Sequence, residues 1–170
     1  MTKEATVDPA LAAKYLVFRI GAEHYAVRVL AIREIVRPLP ITKVPNKPRY
    51  MRGVLNLRGK VTPVIDLGDA FGMGPTPQTE QTVILFVQST VSRSMIGLVV
   101  HEVLEVLEVR PDMLRPRPSF GLVLAQDFVL AMASSGERLL FLIDLDRCLT
   151  DLAAQIDHEV AAHERSGASP

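Results

Sequence analysis

GVLNLRGKVTPVIDL, residues 53–67, reads as two short strands joined by a tight turn. Val54, Leu55 and Leu57 make the first strand apolar, and Val61, Val64, Ile65 and Leu67 give the second its β-branched or aliphatic bulk. Between them, Arg58-Gly59-Lys60 offers a glycine that can take a positive φ at little steric cost. That combination is a hairpin signal with a turn mechanism. Asn56 and Arg58 place polar groups beside strand ends that read as buried, so each needs a partner.

Working outward, the Ile65-Asp66-Leu67 that closes this hairpin returns as Ile143-Asp144-Leu145, 78 positions later. Ile32-Arg33-Glu34-Ile35 likewise returns as Val103-Leu104-Glu105-Val106, 71 positions later. Both halves run strand pair, apolar-Glu-apolar segment, proline connector, hairpin. The strand pairs are 15–20 with 24–29 and 82–87 with 95–100; the second hairpin is 128–145. Prolines 38, 40, 45 and 48 keep the first connector, 37–49, out of a helix and extended. Residues 68–72 can form one helical turn, and 72–82 read as a loop.

A duplicated unit of about five short strands escapes exposed edges by closing into a small barrel. The expected fold is therefore all-β: two tandem five-stranded antiparallel β-barrel subdomains, SH3-like, around a shared core, plus a C-terminal helix. Residues 1–14 form a lead-in, and 15–150 the two-barrel unit, divided into about 15–80 and 81–150. Thr150 can cap a helix over 151–165 with Leu152, Ile156 and Val160 on one face, and 166–170 should be a disordered tail.

Composition narrows the function classes. The chain has 170 residues, enough for a sizeable core without staples, and is 48% hydrophobic. Basic and acidic residues balance at 19 each, which argues against a general polyanion binder. The distribution is uneven: 28–60 holds nine basic residues and one acidic, and 101–112 four acidic and one basic. Such a dipole suits charge-complementary protein partners. Cys148 is the only cysteine, so no internal disulfide forms, and its apolar setting reads as a packed thiol. There is no run of 18 apolar residues and no signal-peptide core at the start of the sequence, so the expected location is the cytoplasm, without membrane insertion.

Candidate chemistry fails at each motif. Asp66 and Asp144 are paired by the repeat, as a proton-sharing dyad would require, but each reads better as a cap on a following helical turn. His158 and His163, five positions apart, face different ways on a helix and lack cysteine partners, so no metal site is expected. No nucleophile elbow, phosphate loop or dinucleotide fingerprint is present, so no catalytic residue and no cofactor is assigned. A small-barrel nucleic-acid binder would use the basic 28–60 region, where Tyr50 is the only aromatic available for stacking. Glu34 and Arg58 stand among apolar neighbours, and an ion pair between them resolves two otherwise costly charges.

The hairpin GVLNLRGKVTPVIDL, together with IGLVVHEVLEVLEV at 96–109 and RPRPSF at 115–120, resembles the signatures of the bacterial chemotaxis coupling protein CheW family. The resemblance runs over about 15–149. It implies two five-stranded barrels, no enzymatic activity, and a scaffold that joins a methyl-accepting chemoreceptor's cytoplasmic hairpin to the regulatory domain of a chemotaxis histidine kinase. It also implies an ion pair of Glu34 with Arg58 near the receptor-contacting surface. Ile32, Gly53, Asn56, Leu57 and Gly59 match the surrounding motif, while Val99 and Val100 match a strand lining the groove between subdomains. Two residues depart from the pattern: His101 stands where the family often has aspartate, and Ala131 where glycine is common. A paralogue serving surface sensing, twitching or development is the neighbouring reading. The expected state in isolation is a monomer.

Overall fold

The computed structural model describes residues 7–89, 93–116, 128–148 and 150. The C-terminal helix expected over 151–165, the tail, residues 1–6 of the lead-in and residues 117–120 of the RPRPSF motif lie outside the described residues.

Eleven strands are described: β1 (Ala13–Ile20), β2 (Glu23–Arg28), β3 (Ile32–Val36), β4 (Met51–Leu57), β5 (Lys60–Asp66), β6 (Val83–Gln88), β7 (Met95–Val100), β8 (Glu102–Val109), β9 (Leu114–Arg115), β10 (Val129–Ser135) and β11 (Arg138–Ile143). One short helix, α1 (Leu67–Ala70), follows β5. The protein is thus mostly β, in two sheets, as its strand signals imply.

The pairing departs from a simple tandem. One sheet runs β8-β1-β2-β11-β10-β9, the other β3-β6-β7-β5-β4. Each half of the chain lends its first hairpin to the other half's sheet: β1–β2 pairs with β8 and β11, while β6–β7 pairs with β3 and β5. A division near residue 80 therefore does not follow the sheets. The borrowed hairpin also brings one parallel pair into each sheet, β2 with β11 and β7 with β5, and β9 makes the first sheet six-stranded.

The duplication survives in detail. β3 is bulged between Ile32 and Glu34, and the β1–β8 pairing is irregular where Val103 and Glu105 flank Leu104. β4 is bulged between Met51 and Gly53, and β10 between Val129 and Ala131, 78 positions on. The Asp66 N–H donates to the Tyr50 carbonyl at 2.7 Å, and the Asp144 N–H to the Phe128 carbonyl at 2.6 Å.

Period-two alternation sorts the side chains into three cores. On β1, Leu16, Phe18 and Ile20 face the core between the sheets, as Ile96, Leu98 and Val100 do on β7. Tyr15 and Val17 join Leu140 and Leu142 in a core proper to the first sheet, and Val64, Ile84, Phe86 and Val99 make one proper to the second. Strands buried on both faces explain the unbroken apolar runs in β1, β6 and β7.

Both sheets curl. Arg58, in the β4–β5 turn, meets Glu34 on β3, and Arg138 on β11 meets Glu105 on β8. Each pair is separated by at least three strand spacings, roughly 14 Å if flat, so the contacts require closure toward a barrel. Below, "second barrel" means the sheet of β3–β7 and "first barrel" the other.

Candidate functional site

The β4–β5 hairpin closes with a two-residue turn in which both central residues have positive φ, Arg58 at 52° and Gly59 at 85°. This is the type I′ geometry, whose twist matches that of the strands. The sequence signal located Gly59; Arg58 in the left-handed region was not foreseen. The Asn56 side chain accepts the Gly59 N–H at 2.8 Å, fixing the turn. Both Asn56 and Arg58 are exposed, so the expectation of strand ends buried around them does not hold.

Held this way, Arg58 places Nη2 3.5 Å from Glu34 Oε1. The Arg58 side chain is 81% exposed and that of Glu34 30%, so the pair forms at the surface rather than inside the barrel. Ile35, the residue after Glu34 on β3, and Val61, opposite Asn56 on the hairpin, are exposed aliphatics, 45% and 72% accessible. Neither Ile35 nor Val61 was singled out from sequence, although each stands next to a residue that was considered.

The nine residues carried by the family motif do not form one surface. Glu34, Asn56, Arg58 and Gly59 lie together at the β4–β5 turn. Ile32 and Leu57 are half-buried and pack inward, Ile32 on the central core and Leu57 on the second barrel's own. Val99 lies at the far end of β5, opposite Asp66, about 20 Å from the turn by strand rise. Val100 is fully enclosed in the core between the sheets, so it cannot line an open groove.

Gly53 serves the backbone. Its φ is 145°, and a Cβ there would stand 2.2 Å from the Thr42 carbonyl oxygen. Its glycine lets the proline connector run against β4, where Thr42 and Val54 exchange hydrogen bonds of 2.8 and 2.9 Å.

At that end of the second barrel, Pro38, Leu39, Ile41, Arg52, Thr82 and Val99 line a cavity of about 450 Å³. A second cavity of about 380 Å³ opens in the first barrel, lined by Leu11, Leu30, Ala31, Leu130, Ile143 and Leu145. The two are quasi-equivalent: Leu130 stands 78 positions after Arg52, and Arg28, which also lines the second cavity, 71 before Val99. The second is the more apolar, and at its edge Leu30 is 87% exposed where the chain crosses from β2 to β3. Leu30 is the residue sequence reading missed; its signal was an isolated leucine in a segment aligned by the repeat.

The two aspartates of the repeat are engaged in local structure. Asp66 is completely buried and spent: it takes bonds from Arg52 Nε (3.0 Å), Thr76 N (2.8 Å), Thr76 Oγ1 (2.6 Å) and Gly68 N (2.9 Å), capping α1. Asp144 is half-buried and caps a helical turn through the Arg147 N–H at 3.1 Å. Both are caps, as their positions imply. Among the described residues, no cluster of three or more His, Cys, Asp or Glu could hold a metal. His158 and His163 lie outside them. Cys148 is buried. No described helix is long and apolar enough to cross a membrane.

The basic connector is solvated, with Arg49 87% exposed and 3.9 Å from Asp69. Burial, then the neighbouring Lys43 and Arg52 charges, lowers the Lys47 pKa, and its Nζ donates to the Arg52 carbonyl at 2.6 Å. Tyr50 packs on the central core, so the connector presents no stacking platform there.

Comparison with known proteins places these features. The family model for the CheW-like domain matches residues 14–153. The chain is similar to the chemotaxis protein CheW of Klebsiella aerogenes, 31% identical over 151 residues, 88% of this chain and 90% of that one. It is also similar to a probable chemotaxis protein CheW of Rhizobium etli, 34% identical over 140 residues, 82% and 89%. Among solved structures it resembles the scaffolding protein TtCheW of Thermoanaerobacter tengcongensis, with a TM-score of 0.71, 30% identity, and coverage of 78% and 89%.

Proposed function

Because the chain belongs to the CheW-like domain family, we propose that it is a non-enzymatic adaptor that couples the cytoplasmic tip of a methyl-accepting chemoreceptor to the regulatory domain of a chemotaxis-type histidine kinase. The observation that carries this reading is the surface Glu34–Arg58 pair on a chain that matches the family model over 14–153, with exposed aliphatics Ile35 and Val61 on the same strand and hairpin.

The physical chemistry suits the task. A receptor tip is a helical hairpin, and a helix docks by setting spaced apolar anchors into a groove. The cavity edged by Leu30 offers apolar walls for such an anchor. A surface ion pair gives register, and exposed aliphatics on the same strand and hairpin give apolar area. Contacts in a signalling assembly must form and reorganise, so each interface should bury less than about 1,200 Å² in total. A cytoplasmic location and a monomeric free state belong to the same reading.

Calorimetric titration with a receptor signalling fragment and, separately, with the kinase regulatory domain tests it. Binding to both is expected. Binding to neither overturns the adaptor reading. A nucleic-acid binder would instead show affinity whose logarithm falls linearly with the logarithm of salt.

A further inference from the structure

The chain crosses between the barrels at two equivalent places. One is the 29–31 segment between β2 and β3; the other is His101, the single residue between β7 and β8. His101 stands 71 positions after Leu30, so the repeat sets the two side chains at matching points. Leu30 projects into solvent, whereas His101 is half-buried with its ring against the β1–β2 turn. Its Nδ1 accepts the N–H of Gly21, in the β1–β2 turn, at 3.1 Å. The His101 N–H donates to the Arg19 carbonyl at 3.1 Å, and Arg19 donates from Nη1 to the Gly21 carbonyl at 2.7 Å and from Nε to Glu102 at 3.2 Å. One imidazole therefore ties the turn of a first-barrel hairpin to the strand crossing that leaves the second barrel.

We propose that His101 is an acid-released latch between the β1–β2 turn and the crossing from β7 to β8. With the ring neutral and its proton on Nε2, Nδ1 is free to accept from Gly21. When the ring takes a proton from solvent at Nδ1, that nitrogen becomes a donor facing a donor, and the bond must open. The charged groups around the ring are Arg19 on β1, Glu102 on β8 and Asp66 at the end of β5. Burial and then the Arg19 guanidinium oppose the second proton; Asp66 favours it, but that carboxylate is already engaged by Arg52 and Thr76. The result is a pKa below the ordinary histidine value. For a histidine shifted downward, the unfolded chain takes the proton more readily. The stabilisation is therefore complete at neutral pH and is lost as pH falls below about 6.5 and through the folded value.

The latch is independent of the adaptor reading, since its test involves no partner. The experiment is an NMR titration of the whole chain from neutral to acid, with thermal melts of wild type and His101→Gln at each pH. The expected result is an imidazole titrating below the free-histidine value, a Gly21 amide shift with the same midpoint, and a melting temperature that falls more steeply with acid in wild type than in the variant. Titration at or above the free-histidine value, a Gly21 amide that does not follow it, or parallel loss of melting temperature overturns the proposal. If His101→Gln does not fold, the wild-type titration and the Gly21 amide decide alone.

Discussion

Arg138 on β11 donates from Nη2 to the Glu105 carboxylate on β8 at 2.9 Å, and in doing so repeats the Arg58–Glu34 contact of the other barrel. The two glutamates are 71 positions apart, as the repeat requires. The arginines are not matched in the same way: Arg58 is the first residue of its turn, whereas Arg138 is the first residue after its own, 78 positions from Lys60. The same closure has thus been made from two sides of a hairpin tip. Exposed aliphatics accompany it in each barrel, Ile35 with Val61 and Val106 with Leu139, at the same two offsets.

Arg58→Ala tests whether the first of these pairs is there for binding or for folding. An exposed pair of this kind contributes about 1 kcal/mol or less to stability. We expect a melting temperature close to wild type, with receptor-fragment affinity reduced more than affinity for the kinase regulatory domain. Equal loss of both, accompanied by a lowered melting temperature, would show the pair to be structural.

The two Ile-Asp-Leu motifs should respond very differently. Asp66→Ala strands the buried Thr76 and Gly68 donors, leaves the 39%-exposed Arg52 without its carboxylate, and should cost about 2–4 kcal/mol. Asp144→Ala removes only a half-buried cap and should cost about 0.5–2 kcal/mol. Denaturant midpoints of the two variants measure the difference; similar losses would mean that the Arg52–Thr76 network carries no extra stability.

Much of this was legible in the chain because it is local. The 53–67 hairpin, the caps at Asp66 and Asp144, and the 72–82 loop each follow from a few adjacent residues. The exchange of hairpins between halves was not legible, since β6 and β7 carry the same unbroken apolar runs whichever sheet they join, and the choice is made by packing between strands that pair residues 33 to 55 positions apart. Burial of Val100 in the core between the sheets, and of Val99 in the second barrel's own, follows from that choice. Arg52 as the partner of Asp66 could have been found by aligning the halves, because Leu130 occupies its place where Asp144 is not fully buried.

The aligned pair Gly53 and Ala131 gives a further test. Gly53→Ala forces a Cβ onto the Thr42 carbonyl at an unfavourable φ and should cost more than about 1 kcal/mol, with the proline connector displaced from β4. Ala131→Gly should cost about 1–2 kcal/mol, the entropic penalty of glycine in a strand plus one lost buried methyl, and leave the proline connector in place. Denaturation curves measure both, and amide exchange at Thr42 and Val54 reports whether the connector has moved.

Val100→Ala removes buried methyl groups from the central core and should cost about 2 kcal/mol. Because the side chain reaches no surface, affinities measured well below the melting temperature should stay near wild type for both partners. A selective loss of receptor binding would instead place Val100 at a groove that opens on docking.

The adaptor account stands or falls on whether one copy of the chain can hold both partners. Its most direct test is sedimentation of the chain mixed with a receptor signalling fragment and the kinase regulatory domain. The account predicts a species containing all three, lost from the receptor side in Arg58→Ala; a chain that sediments alone in the presence of both partners would contradict it.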